Sequence, residues 1–224
     1  MIAPLTCIIP ALDAEATLGD VVARLRLVVP HATLVAVDDG SLDSTHDVAR
    51  ATCDVALRFP ANRGKGAALR AGISEALARG AAVVITIDAD GQHPPEAAPS
   101  LLAALHRADV AIGARSRTAS TMPLGRRMTN ALASAAVGAI LGGTIADSQS
   151  GYRAIRRPVL ESVVARGDRY EYETDFLIRA WRAGYRIESV PIATIYGAPS
   201  HFQTFRDSAR VVRTIWRNRA GALR

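Results

Sequence analysis

Cysteine is nearly absent. The 224-residue chain carries only Cys7 and Cys53. They lie far apart, with no C-x-x-C and no Cys/His pair at ligand spacing, so neither a disulfide framework nor a structural zinc site is expected. Long apolar runs are missing too. A membrane-spanning helix needs roughly 18 such residues; the longest candidate, Ala131 to Leu141, is shorter and rich in Ala and Gly. No basic segment precedes an apolar stretch at the N-terminus, so no secretory signal is expected. The expected address is the cytoplasm, with a peripheral seat at the inner membrane face as a variant. Lysine is almost absent: Lys65 stands alone beside 26 arginines. A GC-rich genome explains that bias without any function, yet it singles out the one remaining ammonium. Neither G-x-x-x-x-G-K-[ST] nor G-x-G-x-x-G occurs, which removes a Walker phosphate loop and an NAD-type fingerprint.

The residues present describe a folded chain. Hydrophobic residues make up 49% and charged ones 21%, far from a disordered composition. A chain of this length buries about 70% of its unfolded surface and needs no staples. The expected organisation is one domain over residues 1–204 and a short basic helix over 205–224. Of the formal charge of +6, the segment from His201 onward holds +5. The rest is nearly neutral, so the charge total implies no nucleic-acid partner.

Short apolar runs alternate with helical patterns. Leu5–Ile9, Leu34–Val37, Val55–Leu57, Val83–Ile87 and Val110–Ile112 read as buried strands. Thr17–Val28, Ser44–Ala51, Gly66–Ala78 and Pro95–Arg107 read as helices, with Ser44 a candidate cap. The alternation defines an α/β fold, a mainly parallel, Rossmann-like sheet with helices on both faces. Farther on, the pattern predicts a helix over Gly125–Leu141 ending at Gly142-Gly143, then a loop from Asp147 to Arg153. A helix over Thr174–Ala183 follows, then an extended Ile187–Tyr196 with Pro191 at a bend or edge, and a last helix over Phe205–Arg219.

Polar residues gather where the strands end, the rim on which open α/β sheets bind ligands. The first strand ends in Pro10-Ala11-Leu12-Asp13, the second in Asp38-Asp39-Gly40-Ser41, the fourth in Asp88-Ala89-Asp90-Gly91-Gln92-His93. Three acidic strand ends on one rim are costly unless a cation sits among them. Asp88 and Asp90 suit a hard divalent ion, which prefers oxygen ligands. The plainer reading is that they hold a turn; their place directly after a buried strand favours the metal. Asp38-Asp39 offers acceptors to a nucleobase or ribose, or is simply a polar turn with Gly40 at positive φ. Asn62-Arg63-Gly64-Lys65-Gly66 is either a phosphate cradle at a helix start or an ordinary glycine turn.

Taken together, IIPALDAEATL, VDDGSLDST, NRGKGAAL, IDADGQHPPE, IGAR, DSQSGYRAI and YEYETD resemble, in order, the segments of family 2 glycosyltransferases. The branch they resemble is that of the dolichyl- or polyprenyl-phosphate mannose synthases. The resemblance covers residues 2–205 and implies a GT-A fold and a metal-dependent, inverting transfer of a hexose from a GDP- or UDP-linked donor to a lipid phosphate. It implies Mg2+ or Mn2+ held by Asp88, Asp90 and Gln92. Donor contacts would come from Pro10, Leu12, Asp13, Glu15, Asp39, Lys65, Asp88, Ala89, Ser200 and His201. Acceptor contacts would come from Arg115, Arg126, Arg127, Asn130, Gln149, Ser150 and Arg153, with Asp90, Arg115 and Asp147 at the reaction centre. One departure stands out: the family usually reads Asn-Glu where this chain reads Asp13-Ala14, so a nucleoside-side carboxylate is lost and Glu15 is the candidate substitute.

An anionic lipid phosphate needs only positioning by arginine. A hydroxyl acceptor would need a general base, for which Asp147, Glu173 and Asp175 are candidates; the plain reading of Glu171, Glu173 and Asp175 is that acids favour a helix start. Two other readings compete. A sugar-1-phosphate nucleotidyltransferase would carry G-x-G-T-R where Pro10-Ala11-Leu12 stands. A silent GT-A module that binds a nucleotide-sugar is opposed by the intact Asp88/Asp90 pair. On the last helix Phe205, Ala209, Val212 and Trp216 share a face beside Arg206, Arg210, Arg213 and Arg217. That face either packs on the domain or lies on an anionic bilayer.

Overall fold

The computed structural model describes residues 4–115, 138, 145–193 and 213–214. Seven strands form one sheet: β1 (Leu5–Ala11), β2 (Thr33–Asp38), β3 (Val55–Arg58), β4 (Val83–Thr86), β5 (Val110–Arg115), β6 (Arg153–Arg156) and β7 (Ile187–Ile192). Their order is β3-β2-β1-β4-β6-β5-β7. All pairings are parallel except those of β6, which runs antiparallel to β4 and β5. Six helices lie wholly among the described residues: α1 (Leu18–Val28), α2 (Thr45–Thr52), α3 (Lys65–Ala78), α4 (Ala98–Ala104, after a 3-10 turn at Pro95–Ala97), α5 (Arg157–Ser162) and α6 (Glu171–Arg182).

Strand alternation sorts the core into two layers. Cys7, Ile9, Leu34, Ala36, Ile85 and Ile87 face α1, α2 and α4. Their neighbours in sequence, Ile8, Val35, Val37 and Val84, join Val110 and Ile112 against α3, α5 and α6. A sheet covered on both faces needs apolar residues at every position, which is why these strands read as continuous runs rather than alternating ones. Among the described residues no helix is long and apolar enough to cross a membrane.

The chain turns from one half of the sheet to the other between β1 and β4, and that is where such a sheet opens a crevice. β4 pairs with β1 only from Leu5 to Ile8, whereas β2 follows β1 out to Ala11. Pro10 lies beyond the end of that β4 pairing, where the missing proline N–H disrupts no ladder. Pro191, expected at a bend or edge, falls on the outermost strand β7.

The structure adds two elements that the pattern did not announce. Arg153–Arg156 is a strand and Arg157–Ser162 a helix. R-A-I-R has too few apolar positions to read as buried, yet β6 pairs antiparallel with β4 and β5, and the Arg156 guanidinium turns to the carbonyls of Leu105 and Ala108. Ser44 occupies the cap position of α2, but its side chain makes no capping bond. Asp43 does that work: its Oδ1 accepts from Thr45 N at 2.9 Å. The helices expected over Gly125–Leu141 and Phe205–Arg219, and with the latter the 205–224 appendage, lie outside the described residues apart from 138 and 213–214.

Gly72 poses a contest of signs. It sits inside α3, where alanine is normally better than glycine by about 0.5–1 kcal/mol. A Cβ there would come within 2.4 Å of Ile8 Cγ2, a buried group on β1, so overpacking at about 1–3 kcal/mol should win. Gly72→Ala is expected to lower stability in chemical denaturation; a gain would show that α3 can lift off the sheet freely.

Candidate active site

The glycine turn before α3 is not empty. Arg63 N and Gly64 N donate to Asp39 Oδ1 and Oδ2 at 2.7 and 2.8 Å. Farther along, Ala67 N donates to the Asp168 carbonyl at 3.1 Å. Two amides of this turn are thus taken by Asp39. Gly64 permits this at φ 99°, with the Asp168 carbonyl 2.3 Å from where a Cβ would be. Burial pushes the Asp39 carboxyl above the ordinary aspartate range, against the pull of those two amides. Gly40 takes the expected positive φ, 78°.

The end of β1 is tied to the same loop. Asp13, at φ 46°, receives Leu42 N on Oδ1 at 2.9 Å and donates its own N–H to Ser41 Oγ at 2.9 Å. Ala14 N donates to Thr45 Oγ1. Glu15 reaches Ser44 N with Oε2 at 2.9 Å, so its carboxylate is engaged at the start of α2. Pro10 and Leu12 line this rim partly buried, and the Ala89 carbonyl accepts from Thr17 Oγ1 at 2.6 Å.

At the centre of the crevice stands Asp88, just past β4. Lys65 Nζ lies 2.6 Å from Asp88 Oδ1 and 3.2 Å from Glu173 Oε1. Burial alone would pull the Lys65 ammonium down, but Asp88 and Glu173 overcome it and hold the lysine firmly charged. Burial likewise pushes Asp88 up, and Lys65, with His93 and Arg115, holds it below the usual carboxylate range. Asp90 behaves in the opposite way: burial and the negative charge of Asp88 raise it. Its Oδ1 accepts Gln92 N at 3.0 Å, the turn geometry expected of it. Gly151 presses against the cluster, since a Cβ there would meet Lys65 Nζ at 2.6 Å and both Asp88 oxygens at 2.7 Å.

The loop from Asp147 to Tyr152 closes the far side. Arg115, at the end of β5, grips Asp147 with Nε at 2.6 Å and Nη2 at 3.2 Å, a two-pronged pair. Arg153 is fully inside; its guanidinium donates to the carbonyls of Ser150, Glu173 and Ser148 at 2.9, 2.9 and 3.1 Å. That makes it the staple joining this loop to α6. Gln149 Nε2 donates to Thr174 Oγ1 at 2.8 Å, and Ser150 Oγ accepts Tyr152 N at 3.3 Å. Asp175 faces away, toward Arg166 N and Arg179. The site residues thus converge from β1, β2, β4, β5, α3 and α6, while Arg126, Arg127, Asn130, Ser200 and His201 lie outside the described residues. Glu173 joins this centre although the sequence offered it only as an alternative base. The signal that could have found it is the chain's single lysine, whose ammonium must meet acids when buried.

His93 is the neighbour whose role the sequence did not specify. It is 2% exposed, its Nε2 is 3.8 Å from Asp88 Oδ2, and its ring lies 5.7 Å from that of Tyr152. Its Nδ1 is buried without a hydrogen bond. Burial, aided by Arg115 and Lys65 and opposed by Asp88, drops it to about 4, so it stays neutral.

An α/β sheet with its acids at the β1/β4 crevice, a cation among them and arginines beyond is the arrangement expected of a GT-A transferase. The comparisons with known proteins agree. The model of glycosyl transferase family 2 matches residues 6–164. An undecaprenyl-phosphate mannosyltransferase of Micrococcus luteus is 35% identical over 84% of this chain and 82% of its own. A polyprenol monophosphomannose synthase of Mycolicibacterium smegmatis is 34% identical over 83% and 75%. Among solved structures, the glucosyl-3-phosphoglycerate synthase of Mycobacterium tuberculosis, in complex with Mn2+, UDP and glucosyl-3-phosphoglycerate, superposes with a TM-score of 0.80 at 23% identity. That match covers 97% of this chain and 80% of the other, and it shows the shared fold. The chain belongs to glycosyl transferase family 2 and is a glycosyltransferase.

His93 yields a pH prediction. An unfolded histidine protonates near 6.5, and His93 only near 4, so between those values the unfolded state binds the extra proton. Stability contributed by neutral His93 is whole above pH 6.5 and lost as pH falls toward 4, by about 3 kcal/mol. Urea titrations across that window should show the decline, and His93→Leu should flatten that part of it. An unchanged slope in the variant would mean that His93 is not the group responsible.

Proposed function

We propose that this enzyme transfers a hexose, with inversion, from a nucleotide-sugar to the phosphate of a polyprenyl or dolichyl phosphate. One observation carries the choice of acceptor. The three carboxylates named as candidate bases each already face a cation: Asp147 faces Arg115, Glu173 faces Lys65, and Asp175 faces Arg179 at 2.5 Å. A hydroxyl nucleophile needs a base within hydrogen-bond reach. A phosphate monoester is anionic at neutral pH and needs only to be held. The two relatives whose names specify undecaprenyl phosphate and polyprenol carriers support the same acceptor class.

Arg115 is the proposed acceptor-phosphate residue, with Asp147 fixing its guanidinium at the end of β5. Arg126, Arg127 and Asn130 are proposed beside it, and Gln149, Ser150 and Arg153 shape the wall. On the donor side Asp39 keeps a second lone pair on each oxygen for a nucleoside N–H or hydroxyl. Pro10, Leu12, Asp13, Glu15 and Ala89 form the rim, with Ser200 and His201 proposed near the diphosphate. Lys65 lies where it can meet that diphosphate.

The residues also fit a divalent ion of a particular kind. Among the described residues no three His, Cys, Asp or Glu side chains form a ready cage. Asp88 and Asp90 are two hard oxygen donors two residues apart just past β4, and Asp88 Oδ1 already receives one cation, the Lys65 ammonium. Such a set suits Mg2+ or Mn2+, which accept one or two carboxylates and fill the shell with water and substrate phosphate. Gln92 is a third candidate ligand. When bound, the ion supplies Lewis-acid stabilisation of the leaving diphosphate. A lipid acceptor also calls for a membrane surface, and the basic 205–224 segment is the proposed contact.

Two experiments test this reading. Asp90→Asn, or chelation of the wild type, should lower transfer at least about 100-fold, because a lost Lewis acid raises the barrier by several kcal/mol. The melting transition of the variant should stay near that of the wild type; retained transfer in both cases would remove the metal. With a panel of GDP- and UDP-sugars, polyprenyl phosphate should accept sugar and the free polyprenol should not. Equal use of the alcohol would overturn the acceptor assignment.

A further inference from the structure

Lys65 is the only lysine of the chain, and its ammonium stands on the carboxylate that a divalent ion would use. Nζ is 2.6 Å from Asp88 Oδ1, 3.2 Å from Glu173 Oε1 and 5.7 Å from the centre of the Tyr170 ring. The backbone of Gly151 closes one side, so close that a single Cβ would touch both partners. The contact is a close ion pair on a buried carboxylate oxygen. Lys65 thus balances the charge of Asp88 on the oxygen a divalent ion would use. A doubly charged ion would arrive against a like charge less than 3 Å from that oxygen. In a partly dry crevice that repulsion is far stronger than in water.

We propose that Lys65 is an internal counter-cation that makes cation binding at Asp88 conditional on the donor nucleotide. A divalent ion alone competes with Lys65 for Asp88 and binds weakly. The donor diphosphate brings new anionic oxygens, the ammonium turns from Asp88 to them, and Asp88 becomes available to the ion. Glu173 keeps the side chain within reach of both positions. The ion and nucleotide therefore help each other bind, and by linkage the factor is the same in both directions. This inference rests on the divalent-cation reading above and adds to it the reason that the ion and the nucleotide arrive together.

The test is Mn2+ binding to the full chain at pH 8, read by electron paramagnetic resonance of the free ion. It is done without nucleotide and with saturating GDP or UDP, after subtracting ion complexed by the nucleotide in solution. The wild type should bind Mn2+ at least about tenfold more tightly with the nucleotide than without. Lys65→Met keeps the length of the side chain and removes its charge. It should bind Mn2+ alone about tenfold more tightly than the wild type, with the nucleotide effect shrinking toward one. A merely structural lysine would not tighten the ion when removed. Unchanged or weaker Mn2+ binding in a folded Lys65→Met chain overturns the inference. If that variant does not fold, the wild type decides: equal affinity with and without nucleotide overturns it. Mn2+ bound under every condition with no dependence on nucleotide or Lys65 removes this inference alone. No Mn2+ bound under any condition removes it together with the cation reading.

Discussion

The ion triad of Asp88, Lys65 and Glu173 joins three parts of the chain that are remote in sequence: the turn after β4, the start of α3 and the first turn of α6. Ion groups of this kind are poor sources of stability, because desolvation consumes most of the attraction. Removing one member is harmful because it strands the others. The triad therefore constrains more than it stabilises. It fixes α3 and α6 relative to the open end of the sheet, and Gly151 has to lack a side chain for the three charges to meet. The rest of the crevice is arranged around that contact.

Two further contacts divide the remaining work. Asp39 holds the turn before α3 through two amides, and so places the Lys65 backbone. Arg115 and Asp147 hold each other across the loop that closes the far side, leaving a guanidinium at a defined place on the rim. Arg153, three donors deep in backbone carbonyls, keeps that loop attached to α6. The acids are thereby separated: Asp39 and Asp147 hold the two loops, and Asp88 and Asp90 are the proposed ligands of the ion.

Much of this was legible in the residues because the physics is local. Five strands and the helices between them show as apolar runs and helical periods, although the third, expected to be buried, is a half-buried edge strand; Asp88-x-Asp90 shows as acids immediately past a strand. Legibility failed where long-range contacts decide. β6 is too short and too charged to announce itself, and it is a strand through its antiparallel pairing with both β4 and β5. Nothing in the glycine turn's own sequence says that Asp39 takes two of its amides. Likewise Glu15, the candidate substitute for the carboxylate missing at Ala14, turns to Ser44 N, a choice set by the neighbouring loop rather than by its own segment.

The central claim is that the acids of the β1/β4 crevice grip a divalent ion bearing the donor diphosphate. A crystal structure of the full chain with Mn2+ and a nucleoside diphosphate, read through the anomalous signal of the metal, tests it most directly. The metal should appear within coordination distance of Asp90 and Asp88 oxygens and of the diphosphate. A metal peak elsewhere, or a diphosphate seated away from those carboxylates, would contradict it.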